Sequence, residues 1–247
     1  MKPKKPEELK LMKEAGRIVA LVHQKMKEII QPGVSTKELD DVARQIIIEA
    51  GATPSFLNYH GFPASICASI NDVVIHGIPD HRVLNEGDII SIDVGANYKG
   101  YHGDSAWTYG VGKLSEEDEK LLEHSKAALY AGLAKARNGA RLTDISHEIG
   151  TYLENHGYST PIEYTGHGIG SHLHEEPAVL NYGLAGRGPV LKKGMTIAVE
   201  PMVIQGKRHV KTLKDGWTVV TCDHTRSAHF EHTIVITDEG YEILTEL

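Results

Sequence analysis

Leu84-Asn85-Glu86-Gly87-Asp88-Ile89-Ile90-Ser91-Ile92-Asp93 returns 107 residues later as Leu191-Lys192-Lys193-Gly194-Met195-Thr196-Ile197-Ala198-Val199-Glu200. Leucine, glycine and isoleucine recur in place, and a carboxylate closes both copies. The surroundings repeat too: Gly33 and Gly51 bracket one helical stretch, and Gly139 and Gly157 bracket another 106 residues on. Each half then reads as two helices followed by a strand pair that carries an acid. Such a duplication places the two acids facing each other across a pseudo-twofold axis. Either half alone would leave an apolar sheet face bare. The expectation is therefore one α+β domain over residues 1–247, with halves of about 7–110 and 111–247.

Outward from the repeat, Leu11, Ala15, Ile18, Val22, Met26 and Ile29 follow three- and four-residue steps, predicting a helix over 8–30. Pro32-Gly33 ends it. Ser35 with Glu38 has capping-box spacing and opens a second helix, whose stripe is Leu39, Val42, Ala43, Ile46 and Ile47. Short strands are expected at 64–69 and 73–75. Alternation over 89–94 and 103–109, with turn formers at 95–100 between them, predicts a hairpin. Ser115 caps a helix expected to reach about 137, and Thr143 is read as the cap of the next. Strands follow at 195–203, 218–221, 229–236 and 241–244, with a loop over 183–189.

Composition narrows the function. The chain has 247 residues, 40% hydrophobic and 24% charged, which excludes disordered and collagen-like classes. Lys+Arg 26 against Asp+Glu 33 leaves a net charge of −7, unsuited to coating a nucleic-acid backbone. No apolar run approaches 18 residues, so no membrane span is expected. The 2 cysteines, Cys67 and Cys222, cannot build a disulfide framework or a four-thiolate zinc site, and they suit a reducing compartment. Both lie in strand-like runs and read as core or pocket-wall residues. The basic start, residues 1–6, reads as a solvated end.

Four acids occupy hydrophobic strand contexts: Asp93, Asp104, Glu200 and Glu231. Burying a bare carboxylate is costly, and divalent metal is the economical compensator for four of them. Glycosidase chemistry would use only two. His167, flanked by Gly166 and Gly168, adds a nitrogen donor that suits Mn, Fe, Co or Zn. Pro201, lacking an N–H, places Glu200 at a strand end. His76 and His174 read either as surface groups or as residues that support the ligands from behind or contact substrate. The chain contains no His-Glu-x-x-His helix, no Gly-x-Ser-x-Gly elbow and no phosphate loop.

Taken together, Tyr59-His60-Gly61-Phe62-Pro63, Ser69-Ile70-Asn71-Asp72-Val73-Val74-Ile75-His76-Gly77, Ser91-Ile92-Asp93-Val94-Gly95, Gly103-Asp104, Thr165-Gly166-His167-Gly168-Ile169-Gly170, His174-Glu175-Glu176-Pro177, Val199-Glu200-Pro201 and Phe230-Glu231-His232-Thr233 resemble the type I methionine aminopeptidases of short bacterial form. The resemblance covers about residues 6–247. It implies the pita-bread fold, two pseudo-symmetric halves of antiparallel sheet with outer helices around a dinuclear metal site. It implies removal of N-terminal methionine before a small second residue, by attack of metal-activated hydroxide on the first peptide bond. By motif, Asp93, Asp104, His167, Glu200 and Glu231 match the ligands of two divalent ions, and Glu200 also matches the general base. His76 and His174 match the substrate-contacting histidines. Tyr59, Phe62, Cys67 and Trp217 match the methionine pocket, and Asn71, Val73 and Ser227 a separate Na or K site. The implied partners are nascent peptide N-termini and, transiently, the ribosome, with a monomer in the cytoplasm and neither membrane nor specific nucleic acid bound.

The chain departs from the pattern at Phe62, where many relatives carry tyrosine; the apolar wall stays and a hydroxyl goes. The 31-residue gap between Glu200 and Glu231 leaves no room for the helical insert of the type II enzymes. Two other readings stand beside this one: a binding protein that kept the shell, and an X-Pro exopeptidase. The five filled ligand positions weigh against the first.

Overall fold

The computed structural model describes residues 2–247. Helices α1 (Pro6–Ile29) and α2 (Thr36–Glu49) are followed by strands β1 (Thr53–Pro54), β2 (Ile66–Ile70), β3 (Val73–Ile75), β4 (Ile89–Tyr98) and β5 (Tyr101–Gly110). A second helix pair, α3 (Glu116–Leu133) and α4 (Leu142–Asn155), precedes β6 (Gly166–Gly168), β7 (Glu175–Val179), β8 (Thr196–Val199), β9 (Met202–Ile204), β10 (Val210–Thr212), β11 (Val219–Thr221), β12 (Ser227–His229), β13 (His232–Ile236) and β14 (Tyr241–Ile243). In one sheet β4 lies between β1 and β2 and also pairs with β5. In another the order is β14-β13-β8-β6-β7.

Each helix pair covers its own sheet. Ile18, Val22 and Met26 of α1 and Leu39, Ala43 and Ile47 of α2 pack on Ile90, Ile92 and Val94 of β4. Leu121 and Leu129 of α3 and Ile145 and Ile149 of α4 pack on Ile197, Val199 and Ile234. Helix α2 starts as its capping box requires: Glu38 N donates to Ser35 Oγ at 3.2 Å, and the Glu38 carboxylate accepts from Ser35 N at 2.7 Å. Buried Asp40 on the same helix accepts from the backbone N–H of Ser65 at 2.7 Å, fixing where β2 begins.

Several expectations need correction. The hairpin turn is tighter than 95–100, because pairing continues to Tyr98↔Tyr101. Helix α3 ends at Leu133, short of 137. Thr143 does not cap α4: Arg141 holds the cap position, its N–H satisfied by Asp144, while the Thr143 hydroxyl is engaged by the backbone of Arg187. The strands expected over 195–203 and 229–236 are each interrupted, at Glu200-Pro201 and at Phe230-Glu231. Cys222 is exposed, just past the end of β11, and belongs to neither core nor pocket. The basic start is not simply solvated: Lys4 pairs with Glu175 at 2.6 Å, and its N–H donates to the Gly194 carbonyl. Met1 lies outside the described residues.

The contact of α1 with β5 places Asp104 and depends on two glycines. A Cβ on Gly103 would come within 2.7 Å of Gly16 N, and one on Gly16 would overlap the Leu244 carbonyl. Gly16→Ala is therefore expected to cost about 1–3 kcal/mol, the usual range for overpacking. Urea denaturation of the metal-free protein measures it, and an unchanged midpoint would refute the close-approach argument.

Candidate metal centre and adjoining pocket

The hairpin register brings the two aspartates together. Asp93 pairs with Ala106 and Asp104 with Gly95, so the carboxylates are diagonal neighbours on one face. Glu200 follows the last residue of β8, and Glu231 precedes the first residue of β13, which pairs with Val199. His167, central in β6, pairs with Ala198. Hydrogen bonds tie β5 to the strands around Glu231. Glu231 N donates to the Ala106 carbonyl at 2.8 Å, Ser105 Oγ to the Glu231 carbonyl at 2.7 Å, and Thr233 Oγ1 to the Asp104 carbonyl at 2.8 Å. The carboxylates are thus delivered by backbone pairing between distant parts of the chain.

Asp104 and Glu231 are 3% and 1% exposed, and the Glu200 side chain 13%. Asp93 Oδ1, Asp104 Oδ1 and Glu231 Oε1 are buried with no hydrogen-bond partner. Burial, reinforced by Glu200, pushes the Asp93 carboxyl up to about 7. Burial pushes Glu200 up to about 8. Asp104 and Glu231 are driven well above the carboxylate range by burial and by their acidic neighbours. His167 is held neutral by burial, at about 3. Its Nδ1 faces the Gly168 carbonyl at 2.9 Å, leaving Nε2 3.4 Å from Glu200 Oε1 and 3.8 Å from Asp104 Oδ2. Orphaned acceptors converging with a neutral imidazole fit divalent cations. Among the described residues, two sets of donor atoms lie within 4.8 Å of one another and could hold an ion: Asp104, His167 and Glu231, and Glu200, His229 and Glu231.

A cavity of about 270 Å³ opens from this cluster. All five expected ligands line it, together with Tyr59, Phe62, Cys67, His76, His174 and Trp217. Phe62 and Trp217 meet edge to face at 5.2 Å. Trp217 projects from the turn between β10 and β11, held by Asp215, which accepts from its N–H at 2.9 Å. His76 follows β3 with a left-handed backbone (φ 58). His174 stands at the mouth, its Nδ1 2.8 Å from the Tyr59 hydroxyl and its ring edge-on to His167 at 4.3 Å. Asn71 and Ser227 lie apart from the cavity: Ser227 N donates to the Asn71 carbonyl at 2.9 Å, and Val73 pairs with Val220.

Phe56, His60, Leu173 and His229 were missed in the sequence reading. The first three line the cavity wall. His229 carried a signal, because it stands two residues before Glu231 and strand alternation puts both on one face.

Residues 10–238 match metallopeptidase family M24. This chain belongs to that family. It is 57% identical over 244 residues to a Bacillus subtilis protein named methionine aminopeptidase 1, covering 99% of this chain and 98% of the relative. It is 46% identical to the Escherichia coli methionine aminopeptidase, covering 98% and 92%. The crystal structure of the Thermotoga maritima methionine aminopeptidase superposes with a TM-score of 0.99 at 42% identity, covering 100% of both chains. A Pyrococcus furiosus prolidase at 23% identity shares the fold, with a TM-score of 0.82. The fold is the pita-bread α+β fold of M24, and divalent metal is its cofactor.

In the metal-free protein these carboxyls keep protons to higher pH than in the unfolded chain, where they titrate near roughly 4. From there to about 8, the value of Glu200, the folded form binds more protons, so this cluster loses stability as pH rises. Metal requires the ionised form and expels those protons, so its stabilising effect grows over the same window. The rise in melting temperature on adding Co(II) should be larger at about pH 7.5 than at about pH 5.5. Equal shifts would contradict the proton-held cluster.

Proposed function

We infer that this chain removes the N-terminal methionine from peptides and nascent proteins as a metal-dependent aminopeptidase. The observation that carries the reading is the single cavity in which an aromatic wall of Tyr59, Phe62 and Trp217 adjoins the buried carboxylates. An unbranched thioether suits that wall, since sulfur at a ring edge adds roughly 0.3–1.5 kcal/mol beyond burial.

Asp93, Asp104, His167, Glu200 and Glu231 are the residues that would hold two divalent ions, drawn from Co, Mn, Fe or Zn. Bound there, metal supplies Lewis acidity and a water of lowered pKa. Glu200 accepts the proton of the attacking water at a carboxylate oxygen. His174 donates to the developing oxyanion, its ring steadied by the Tyr59 hydroxyl. His76 contacts the scissile amide. Cys67, 5% exposed, closes the wall beside the methionine side chain. A small second residue is part of the same reading, as is one catalytic unit over 1–247 with halves of about 7–110 and 111–247. Asn71, Val73 and Ser227 would hold Na or K. A cytoplasmic monomer meeting nascent chains transiently at the ribosome completes the picture. Among the described residues no helix is long and apolar enough to cross a membrane.

Turnover of Met-Ala-Ser but not Ala-Pro-Ala after metal reconstitution is the expected result; the reverse would move the chain to X-Pro specificity. His174→Ala should lower kcat by about 100-fold or more with metal content unchanged, the usual cost of one oxyanion donor. A variant that keeps kcat or loses its metal refutes that role. Phe62→Ala should raise KM for Met-Ala-Ser and narrow the preference for methionine over leucine in kcat/KM. An unmoved ratio would remove Phe62 from the pocket.

A further inference from the structure

We propose that Lys4 is a positioning residue for His174, acting through Glu175. The inference rests on the aminopeptidase reading and adds to it a control from the start of the chain. His174 lies in the loop of residues 169–174, outside both β6 and β7. An oxyanion donor has to be held within about 0.5 Å of its productive place. The Tyr59 hydroxyl meets one nitrogen of the ring, but Tyr59 itself stands in a short turn at the rim. The backbone beneath the imidazole must be fixed from elsewhere. Glu175, the next residue and the first of β7, does so with both carboxylate oxygens. Oε1 accepts from His172 N at 3.3 Å, closing the loop on itself, and Oε2 accepts from Lys4 Nζ at 2.6 Å.

The ion pair is shielded and lies against the loop. Its side chains are 9% and 19% exposed, and a Cβ on Gly170 would overlap the end of the Lys4 side chain and the Glu175 carboxylate. The Gly170 carbonyl accepts from His102 N at 2.9 Å, which ties the other end of the loop to β5. Lys4 is anchored in turn. Its N–H donates to the Gly194 carbonyl at 2.7 Å, and α1 begins at Pro6, where the Glu8 carboxylate accepts from Lys5 N at 2.6 Å and from the Tyr101 hydroxyl at 2.7 Å. A role in stability alone accounts for less. A pair that only tied down the start of the chain could sit in water, where such pairs contribute little. Here the ammonium is shielded, a glycine makes room for it, and its carboxylate belongs to the residue beside His174.

Lys4→Met keeps an unbranched stem and removes the charge. After metal reconstitution it should lower kcat for Met-Ala-Ser by about tenfold or more, with KM and metal content unchanged, because a small misplacement of a catalytic group is costly. Glu175→Gln breaks the pair from its other end and should lower kcat to a similar extent, which keeps the proposal testable if Lys4→Met does not fold. The deciding measurement repeats both substitutions in the His174→Ala background. Neither should lower kcat further there, because Lys4 acts only through that ring. Equal falls with and without His174 overturn the proposal. So does an unchanged kcat with only a lower melting temperature, and so does loss of metal. Each of these results leaves the peptidase reading standing; that reading fails instead if the wild-type protein does not turn over Met-Ala-Ser.

Discussion

Four carboxylates held side by side, largely out of reach of water, are the constraint on which the rest of the molecule turns. Asp93, Asp104, Glu200 and Glu231 cannot all ionise there without compensation; they hold protons, as their raised pKa values show, or they hold cations. Of the histidines in the same cavity, His167 and His76 are held neutral by burial, at about 3 and about 4. The protein tolerates this arrangement because the backbone imposes it. Pairing of β4 with β5 sets the aspartates, the interruptions at Pro201 and Phe230 set the glutamates, and hydrogen bonds from Ser105, Asp104 and Thr108 tie the two sources together. The close approach of Gly16 and Gly103 lets α1 lie near enough to β5 to cover it.

The candidate ligands and the aromatic wall share one cavity but come from different stretches of chain. Phe62, Cys67 and His76 arrive from the segment before β4, and Trp217 and His174 from the second half. A methionine side chain against the aromatic wall would leave its peptide bond beside the carboxylates, and that proximity is the contribution of the fold. The link from Lys4 to Glu175 adds a tie from the start of the chain to the residue beside His174.

Much of this was legible in the sequence, and for physical reasons. The repeat around Gly87 and Gly194 survives because both glycines sit in turns with positive φ. The Ser35–Glu38 box is a local interaction, so spacing alone announces it. Asp93 and Asp104 share a face because alternation has a period of two. What escaped depends on partners far away in the chain. Thr143 looked like a cap until the loop at Arg187 claimed its hydroxyl, and Cys222 follows a buried strand yet faces solvent. Lys4 is seated by Gly194 and Glu175, which no local pattern foretells. His229 is within reach of the alternation argument, which puts it on the side of Glu231 and opposite Phe230 and His232. The candidate ligands were readable from motifs and hydrophobic context; their convergence needed the cross-chain hydrogen bonds.

The central claim is that the carboxylate cluster exists to hold divalent metal. Anomalous diffraction from crystals of the Co(II)-loaded protein tests it most directly. The account predicts two anomalous peaks among Asp93, Asp104, His167, Glu200 and Glu231, with the apolar wall of Phe62 and Trp217 facing them. Peaks confined to surface histidines, with the four carboxylates still clustered and metal-free, would contradict it.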